Sequence, residues 1–298
     1  MRRSAAARWL LLATLWSLQY IFMRVAVPVF GTAFVAEARA FFSMFFLVPW
    51  VLYVVHESIG LRAHWRDHLA VSLANNVLPF LCLAYAATVL PASYLAVMNG
   101  MVPLWAAVTS ALFLKEPFGA RRILGFVLGM AGVALIVNLG PIPLNTRTAL
   151  GVLASILGSF FWGWAGVVIR QRSGRVPAMS MAAGSIIFCA LILSPAWATM
   201  PPPSAWTGSS VAGLVALGIL VSGVAYLPFF TLVRDIGPTR TLTVGLAVPV
   251  LGIIWGWLLL GEEITPAMIA GAALVLLALG LVMSPASALG KRERPAHP

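Results

Sequence analysis

The sequence contains few charged residues, and this shortage excludes a water-soluble globular domain. Of its 298 residues only 9% are Asp, Glu, Lys or Arg, whereas 61% are hydrophobic and the mean hydropathy is +0.98. Soluble domains carry about 25% charged residues, which cover their surface. A chain with so few charges is solvated by lipid instead, and this predicts an all-α protein with several transmembrane helices.

The sequence also lacks the motifs of several common chemistries. It has no Gly-rich loop ending in Lys and Ser or Thr, no His-Glu-x-x-His pair and no Gly-x-Ser-x-Gly turn. The two cysteines, Cys82 and Cys189, lie in separate apolar runs and suit small core residues better than metal ligands. We therefore predict a protein that is not an enzyme and that needs neither a cofactor nor a metal.

Apolar runs of about 20 residues, the length that crosses a bilayer, indicate ten spans. The predicted spans cover about 8–28, 32–56, 68–90, 92–114, 121–139, 148–170, 178–200, 210–233, 239–260 and 265–284. Prolines divide the two longest uncharged runs, at Pro91 and at Pro201 to Pro203. The opening residues resemble a signal peptide, but their apolar run continues through Val27, which favours a retained first span.

The excess of basic residues indicates membrane orientation rather than a nucleic-acid partner. The net charge is +11, but the bases lie in short clusters between apolar runs and not on one soluble face. The loops on one predicted side hold sixteen of the nineteen Lys and Arg residues, the other side holds Arg147, and Arg24 and Arg39 lie within spans. Because basic loops stay in the cytoplasm, this distribution predicts that both termini are cytoplasmic.

Residues recur along the chain at a constant separation of 146 positions. The segment Pro103–Gly125 returns as Pro249–Gly271, with Glu116 matching Glu262. Trp16 matches Trp162 and Arg24 matches Arg170 at the same separation. Each half then holds five spans, and since five is odd the second half enters the membrane from the opposite side. We predict two inverted five-helix repeats, residues 1–145 and 146–298, an arrangement known from secondary transporters.

These residues resemble those of the EamA-type transporters in the drug/metabolite transporter superfamily, over essentially the whole chain. The resemblance is carried by Trp16, Arg39, Leu90-Pro91-Ala92, Pro103, Leu112 to Glu116, Gly125 and Gly132, and in the second half by Gly237-Pro238-Thr239, Pro249, Leu260-Gly261-Glu262 and Gly271. Lys115 departs from the pattern where the second half has Gly261. The resemblance implies a substrate cavity between the halves, alternating access, and export of small metabolites across a bacterial inner membrane.

Polar and aromatic residues at mid-span depth are the candidate substrate-binding residues. They are Trp16, Asn75, Asn76, Pro79, Tyr94, Met98, Asn99, Pro103, Trp162 and Tyr226. An asparagine in hydrocarbon needs a partner, a proline frees a helical carbonyl, and rings bind apolar groups and cations. For each aromatic residue the alternative is core packing or contact with lipid; the repeat favours the cavity for Trp16 and Trp162.

The few charges within or beside the spans form a second set of candidates. Glu37 and Arg39 lie early in the second span, near the predicted outer surface, and Arg24 ends the first span. We predict a structural ion pair of Arg24 and Glu37, with an outer gate or binding of a substrate carboxylate as the alternative. Glu116 and Glu262 are each predicted to cap the helix that follows, and a proton-binding or gating role is the alternative.

Together these features predict a monomeric secondary transporter that exports small metabolites, with amino acids, including aromatic and hydrophobic ones, preferred. The predicted partners are the lipid bilayer and a small-molecule substrate, with a coupling proton as a further candidate and no nucleic acid. An exporter of hydrophobic cations or drugs is one alternative, which aromatic residues and Glu37 would suit. A nucleotide-sugar or sugar-phosphate exchanger is another, disfavoured because the spans supply only Arg24 and Arg39 as bases.

Overall fold

The computed structural model describes residues 3–139, 143, 145–237, 240–241 and 243–283, and within these ranges it consists of helices without a strand. Its ten helices are α1 Arg3–Phe30, α2 Thr32–Val55, α3 Trp65–Ala86, α4 Ala92–Leu114, α5 Ala120–Leu139, α6 Thr146–Arg170, α7 Ala178–Leu193, α8 Gly208–Ile236, α9 Val244–Leu260 and α10 Pro266–Met283. In the described part of the chain nine helices are long and apolar enough to cross a membrane, and α9, with 17 residues, is slightly shorter. The predicted all-α membrane fold is confirmed.

The helix ends differ little from the predicted spans. The first helix begins earlier than expected, and the seventh ends at Leu193, followed by a 3-10 turn over Ser194–Thr199. The predicted division between residues 145 and 146 falls between α5 and α6. Pro238 and Thr239, and the predicted cytoplasmic C-terminus after residue 283, lie outside the described residues.

Four helices are interrupted, and the interruptions change which backbone groups are available. π-helical segments occupy Trp50–Val55 in α2, Leu73–Val77 in α3 and Leu217–Val224 in α8. Helix α4 is broken between Asn99 and Val102, and Pro103 lies in the first turn of the second piece. A π segment inserts an extra residue into a helical turn, and a proline removes an N–H donor. Such interruptions are common at functional sites.

Glycines allow helices of the same chain to approach closely. A Cβ atom built on Gly132 of α5 would lie 2.7 Å from the carbonyl oxygen of Gly271 on α10, and the reverse distance is the same. Gly125 also faces α10, and Gly252 of α9 faces Ala96 of α4. These small residues thus lie between helices of the same chain.

The packing order places α1, α2, α3, α7 and α8 around a common centre. Helix α1 packs against α8 and α9, α6 packs against α3 and α4, and α2 lies between α7 and α8. Helices α5 and α10 lie together at one side of the bundle. Arg8 forms an ion pair with Asp235 at 2.7 Å, which joins the start of α1 to the end of α8. If successive helices cross the membrane in alternating directions, these two helix ends lie on the same side of the membrane.

Candidate functional site

Buried polar side chains meet where α1, α2, α3, α7 and α8 converge. We call this group the central cluster, which consists of Gln19, Arg39, Asn75, Asn76, Ser185, Ser222 and Tyr226. Five of its members, all except Asn75 and Tyr226, are no more than 5% exposed. Burying polar groups at the centre of a membrane bundle is costly, so such clusters mark candidate sites.

Arg39 is the charged member of the central cluster. Its Nε donates to Ser222 Oγ at 2.6 Å and its Nη2 donates to Gln19 Oε1 at 3.2 Å. The guanidinium carbon lies 3.9 Å from the centre of the Phe80 ring, a cation–π contact. The sequence led us to expect Arg39 near the outer surface. It points into the interior instead, because α2 packs between α7 and α8 and so turns this side chain away from lipid.

The charge of Arg39 has no counter-charge in the described structure. Arg39 Nη1 is buried without a hydrogen-bond partner, and no Asp or Glu of the described residues forms an ion pair with it. An unpaired buried charge is strongly unfavourable, whereas a guanidinium binds carboxylates with two parallel hydrogen bonds. The arrangement therefore suits an anionic group supplied from outside the chain.

Two hydrogen bonds in the central cluster are related to each other by the 146-position separation. Arg39 matches Ser185 and Asn76 matches Ser222; Arg39 binds Ser222, and Asn76 Nδ2 donates to Ser185 Oγ at 3.1 Å. Asn76 and Ser222 each lie in a π-helical segment. Sequence reasoning missed Ser185, Ser222 and Gln19. Applying the same separation to Arg39 and Asn76 would have identified both serines.

Four of the candidate residues, Asn75, Pro79, Trp162 and Tyr226, lie together. Asn75 Nδ2 donates to Asn76 Oδ1 at 3.1 Å and to the Tyr226 hydroxyl at 3.4 Å. Pro79 has no N–H to donate to the Asn75 carbonyl four residues earlier. Trp162 Nε1 donates to that carbonyl at 2.9 Å, so an indole of α6 replaces the missing helical bond.

The candidates on α4 are divided between two places. Asn99 lies beside Tyr20, which also adjoins Arg39 and Gln19, and Asn99 Oδ1 is buried without a partner. Tyr94 is 2% exposed and lies nearer Glu262, at the first turns of α4, away from the central cluster. Met98 is buried in the core, where its carbonyl accepts a hydrogen bond from Ser159. Pro103 faces Gly245 of α9.

Aromatic rings extend from the central cluster along α1 and α8. Trp16 packs on Phe229 with ring centres 5.6 Å apart, and Phe229 contacts Phe230 at 5.2 Å. Phe230 stacks on Tyr226 at 5.8 Å. This aromatic row, Trp16, Phe229, Phe230 and Tyr226, leads from the cluster toward the end of the bundle where α1 begins and α8 ends.

The predicted ion pair of Arg24 and Glu37 does not form. Arg24 Nη1 donates to the carbonyl oxygen of Ala87 at 3.1 Å, at the C-terminal end of α3 where helical carbonyls are free. Glu37 Oε1 accepts a hydrogen bond from Trp197 Nε1 at 3.0 Å. The two side chains face different neighbouring helices, which is why the expected pairing is wrong.

Glu262 caps a helix and Glu116 forms an ion pair, and in both cases the partner differs from the predicted one. Glu262 accepts hydrogen bonds from the backbone N–H groups of Ala92 and Ser93, at 2.6 and 2.9 Å, and from the Ser93 hydroxyl. It therefore caps α4 and not α10, the helix that follows it. Glu116 pairs with Arg170 at 2.5 Å instead of capping α5. Each glutamate follows a residue with positive φ, Lys115 or Gly261, that ends its helix.

Comparisons with known proteins agree on the family. Residues 4–138 and 149–284 each match the model of the EamA-like transporter family. The chain is 24% identical over 296 residues to "Uncharacterized transporter YvbV" of Bacillus subtilis, covering 96% of this chain and 95% of that protein. It is 27% identical over 234 residues to "Protein PecM" of Dickeya dadantii, covering 77% of each.

A third relative and a solved structure complete the comparison. The chain is 23% identical over 210 residues to a "Probable terminal-alkyne amino-acid exporter" of Streptantibioticus cattleyicolor, covering 70% of this chain and 69% of that protein. One crystal structure matches with a TM-score of 0.64 and 19% identity, covering 94% of this chain and 96% of the other. At that identity the match speaks for the fold alone.

Proposed function

Because the chain belongs to the EamA-like transporter family, we propose that it exports small metabolites bearing a carboxylate, with amino acids as the preferred substrates. The observation that carries this proposal is Arg39, a buried guanidinium with an unpartnered Nη1 and no acidic partner among the described residues. A substrate carboxylate supplies the missing counter-charge. The relative named as an amino-acid exporter supports the same substrate class.

The remaining parts of an amino acid find partners close to Arg39. Asn99 Oδ1, which is buried without a partner, is an acceptor for the substrate ammonium group, and the Asn75 and Asn76 amides belong to the same central cluster as Arg39. The aromatic row from Tyr226 to Trp16 offers an apolar surface to the substrate side chain. Transport of this kind needs no covalent chemistry, so we propose no enzymatic activity.

Alternating access by two inverted halves is the proposed mechanism. Hydrogen bonds at equivalent positions support it: Trp255 Nε1 donates to Ser17 Oγ between α9 and α1, and Thr109 Oγ1 donates to the Gly163 carbonyl between α4 and α6. Each of these pairs is related to the other by 146 positions. Rocking of residues 1–145 against residues 146–298 would expose the central cluster to each side in turn.

We further propose that the protein lies in the cytoplasmic membrane as a monomer with both termini inside the cell. The distribution of basic residues supports this orientation. Arg39 also bears on the alternative substrates. A hydrophobic cation would meet its positive charge at the centre of the cluster, and a sugar phosphate, being a dianion, calls for more than one central base.

The experiment that tests the proposal is uptake of labelled compounds into proteoliposomes. We expect flux of several amino acids and much less flux of the matching amino-acid amides, which keep the ammonium and side chain but lack the carboxylate. Protein-free liposomes give the background. Equal flux of acids and amides would contradict the role of the carboxylate, and absence of protein-dependent flux across the panel would contradict the proposed function.

A further inference from the structure

Glu37 is a buried carboxyl group that lacks a basic partner. Its side chain is 1% exposed, Oε1 accepts one hydrogen bond from Trp197 Nε1, and Oε2 has no partner. No Lys, Arg or His of the described residues forms an ion pair with it. An ionised carboxylate in such a place is strongly disfavoured, whereas a protonated carboxyl with one hydrogen bond is compatible with burial.

An aromatic cover separates Glu37 from the end of the bundle. Trp197 lies in the 3-10 turn that follows α7 and makes edge contacts with Phe34, at 5.1 Å, and Phe41, at 5.0 Å. Trp197 itself is 37% exposed. Glu37 is thus one side chain away from the surface, at the end of the bundle where α2 begins and α4 is capped by Glu262.

The charged and titratable groups near Glu37 are few. Cys189 of α7 lies close enough to interact electrostatically with both Glu37 and Arg39. Arg39 follows two residues later on α2, but its guanidinium is engaged with Ser222 and Gln19. Trp197, the neighbour from the end of α7, does not titrate. Ionisation of Glu37 therefore requires water, which reaches this side chain only after the packing around it opens.

We propose that Glu37 is the binding site of a coupling proton, an inference that rests on the proposed transport function. With the cover closed, the O–H bond of the Glu37 carboxyl is intact. When the cover opens to the outside after substrate release, a proton from the outer water forms the O–H bond of the Glu37 carboxyl, and the cover closes over the neutral group. When the two halves rock and expose the central cluster to the cytoplasmic side, that bond breaks and the proton passes to water on that side. Substrate therefore moves out while a proton moves in.

Proton movement in proteoliposomes tests the coupling. A pH-sensitive dye inside the vesicles follows protons while a gradient of a transported amino acid drives flux. We expect the wild-type protein to move protons against the amino-acid flow. Glu37→Gln, which resembles the protonated form, should still exchange amino acids but move no protons. Glu263→Gln is the matched control, since Glu263 is exposed at the same end of the bundle, and it should behave as wild type.

The pH dependence gives a second readout. Net flux through the wild-type protein should rise as the side receiving the substrate is acidified, by up to about tenfold per pH unit, the limit for one titrating group. Flux through Glu37→Gln should not change with this pH. Proton movement by Glu37→Gln at the wild-type ratio, or wild-type amino-acid flux without proton movement, would overturn the proposal.

Infrared spectroscopy of the purified protein tests the proton site without any flux. The wild-type protein at neutral pH should show the C=O band of a protonated carboxyl, which disappears in Glu37→Gln and remains in Glu263→Gln. Trp197→Phe removes the N–H donor, so the band should shift to higher frequency. A spectrum unchanged by either substitution would contradict the proton site. If no amino acid is transported, the proposed function fails while these spectra still decide the state of Glu37.

Discussion

Arg39 and Ser185 occupy matching positions in the two halves of the chain, and so do Asn76 and Ser222, yet only one of the four is charged. The hydrogen bonds cross between these pairs: Arg39 of α2 donates to Ser222 of α8, and Asn76 of α3 donates to Ser185 of α7. The bond that includes Arg39 leaves one guanidinium nitrogen unpartnered. The matched positions thus form two equivalent hydrogen bonds, and Arg39 places a positive charge in only one of them.

The largest expected effect on transport comes from removing the positive charge of Arg39. Arg39→Gln should lower amino-acid flux by about 10- to 100-fold, because hydrogen bonds to a charged group are worth about 1.5–3 kcal/mol. Thermal stability of the detergent-purified protein should not fall, since an unpaired buried charge is removed. Arg24→Gln changes the other arginine within a span and should leave flux nearly unchanged. A large loss of stability in Arg39→Gln would instead indicate a structural role.

The hydrogen bond between the uncharged residues Asn76 and Ser185 provides a second test of this comparison. Asn76→Ala removes the donor to Ser185 and leaves this buried hydroxyl without its partner on α3. We expect a loss of about 1–2 kcal/mol in the free energy of unfolding, which thermal melts can measure. Flux should fall less than in Arg39→Gln. A greater loss of flux from Asn76→Ala than from Arg39→Gln would argue against the substrate-binding role of the arginine.

The two glutamates at the helix ends allow a second comparison at matching positions. Glu262→Gln removes a charged cap from the first turn of α4 and should cost about 1 kcal/mol of stability. Glu116→Gln breaks a partly exposed ion pair with Arg170 and should cost about 0.5 kcal/mol or less. Thermal melts of both variants measure the difference. Equal losses would contradict the assignment of a cap to Glu262 alone.

The matched tryptophans allow a third comparison, in which small effects on stability are expected. Trp162→Phe removes the donor to the Asn75 carbonyl, for which Pro79 offers no replacement, and should cost about 1 kcal/mol. Trp16→Phe keeps the ring contact with Phe229 and should change stability less. Thermal melts of the two variants make the comparison. A larger loss from Trp16→Phe would show that its indole has a structural role that the Phe229 contact does not describe.

Sequence patterns were sufficient to predict where the helices lie, because the length of an apolar run is a local property of the chain. The ten spans follow from runs of apolar residues and from the prolines between them, and the observed helices agree to within a few residues. Partners of polar side chains were harder to predict. Arg24 was assigned to Glu37 by depth in the membrane alone, but the direction in which each helix turns its side chains decides the contact.

The amino-acid sequence by itself determined that this protein is a membrane protein, that the part of the chain described by the structure holds ten long apolar helices, and that the two halves resemble each other. The composition, the lengths of the apolar runs and the separation of 146 positions between matching residues are properties of the sequence, and they do not depend on how the helices pack. The tertiary structure alone decided that Arg39 lies unpaired at the centre, that Ser185 and Ser222 face its cluster, and that Glu262 caps a helix of the other half. These contacts join residues more than 100 positions apart, and only the packing of helices brings such residues together.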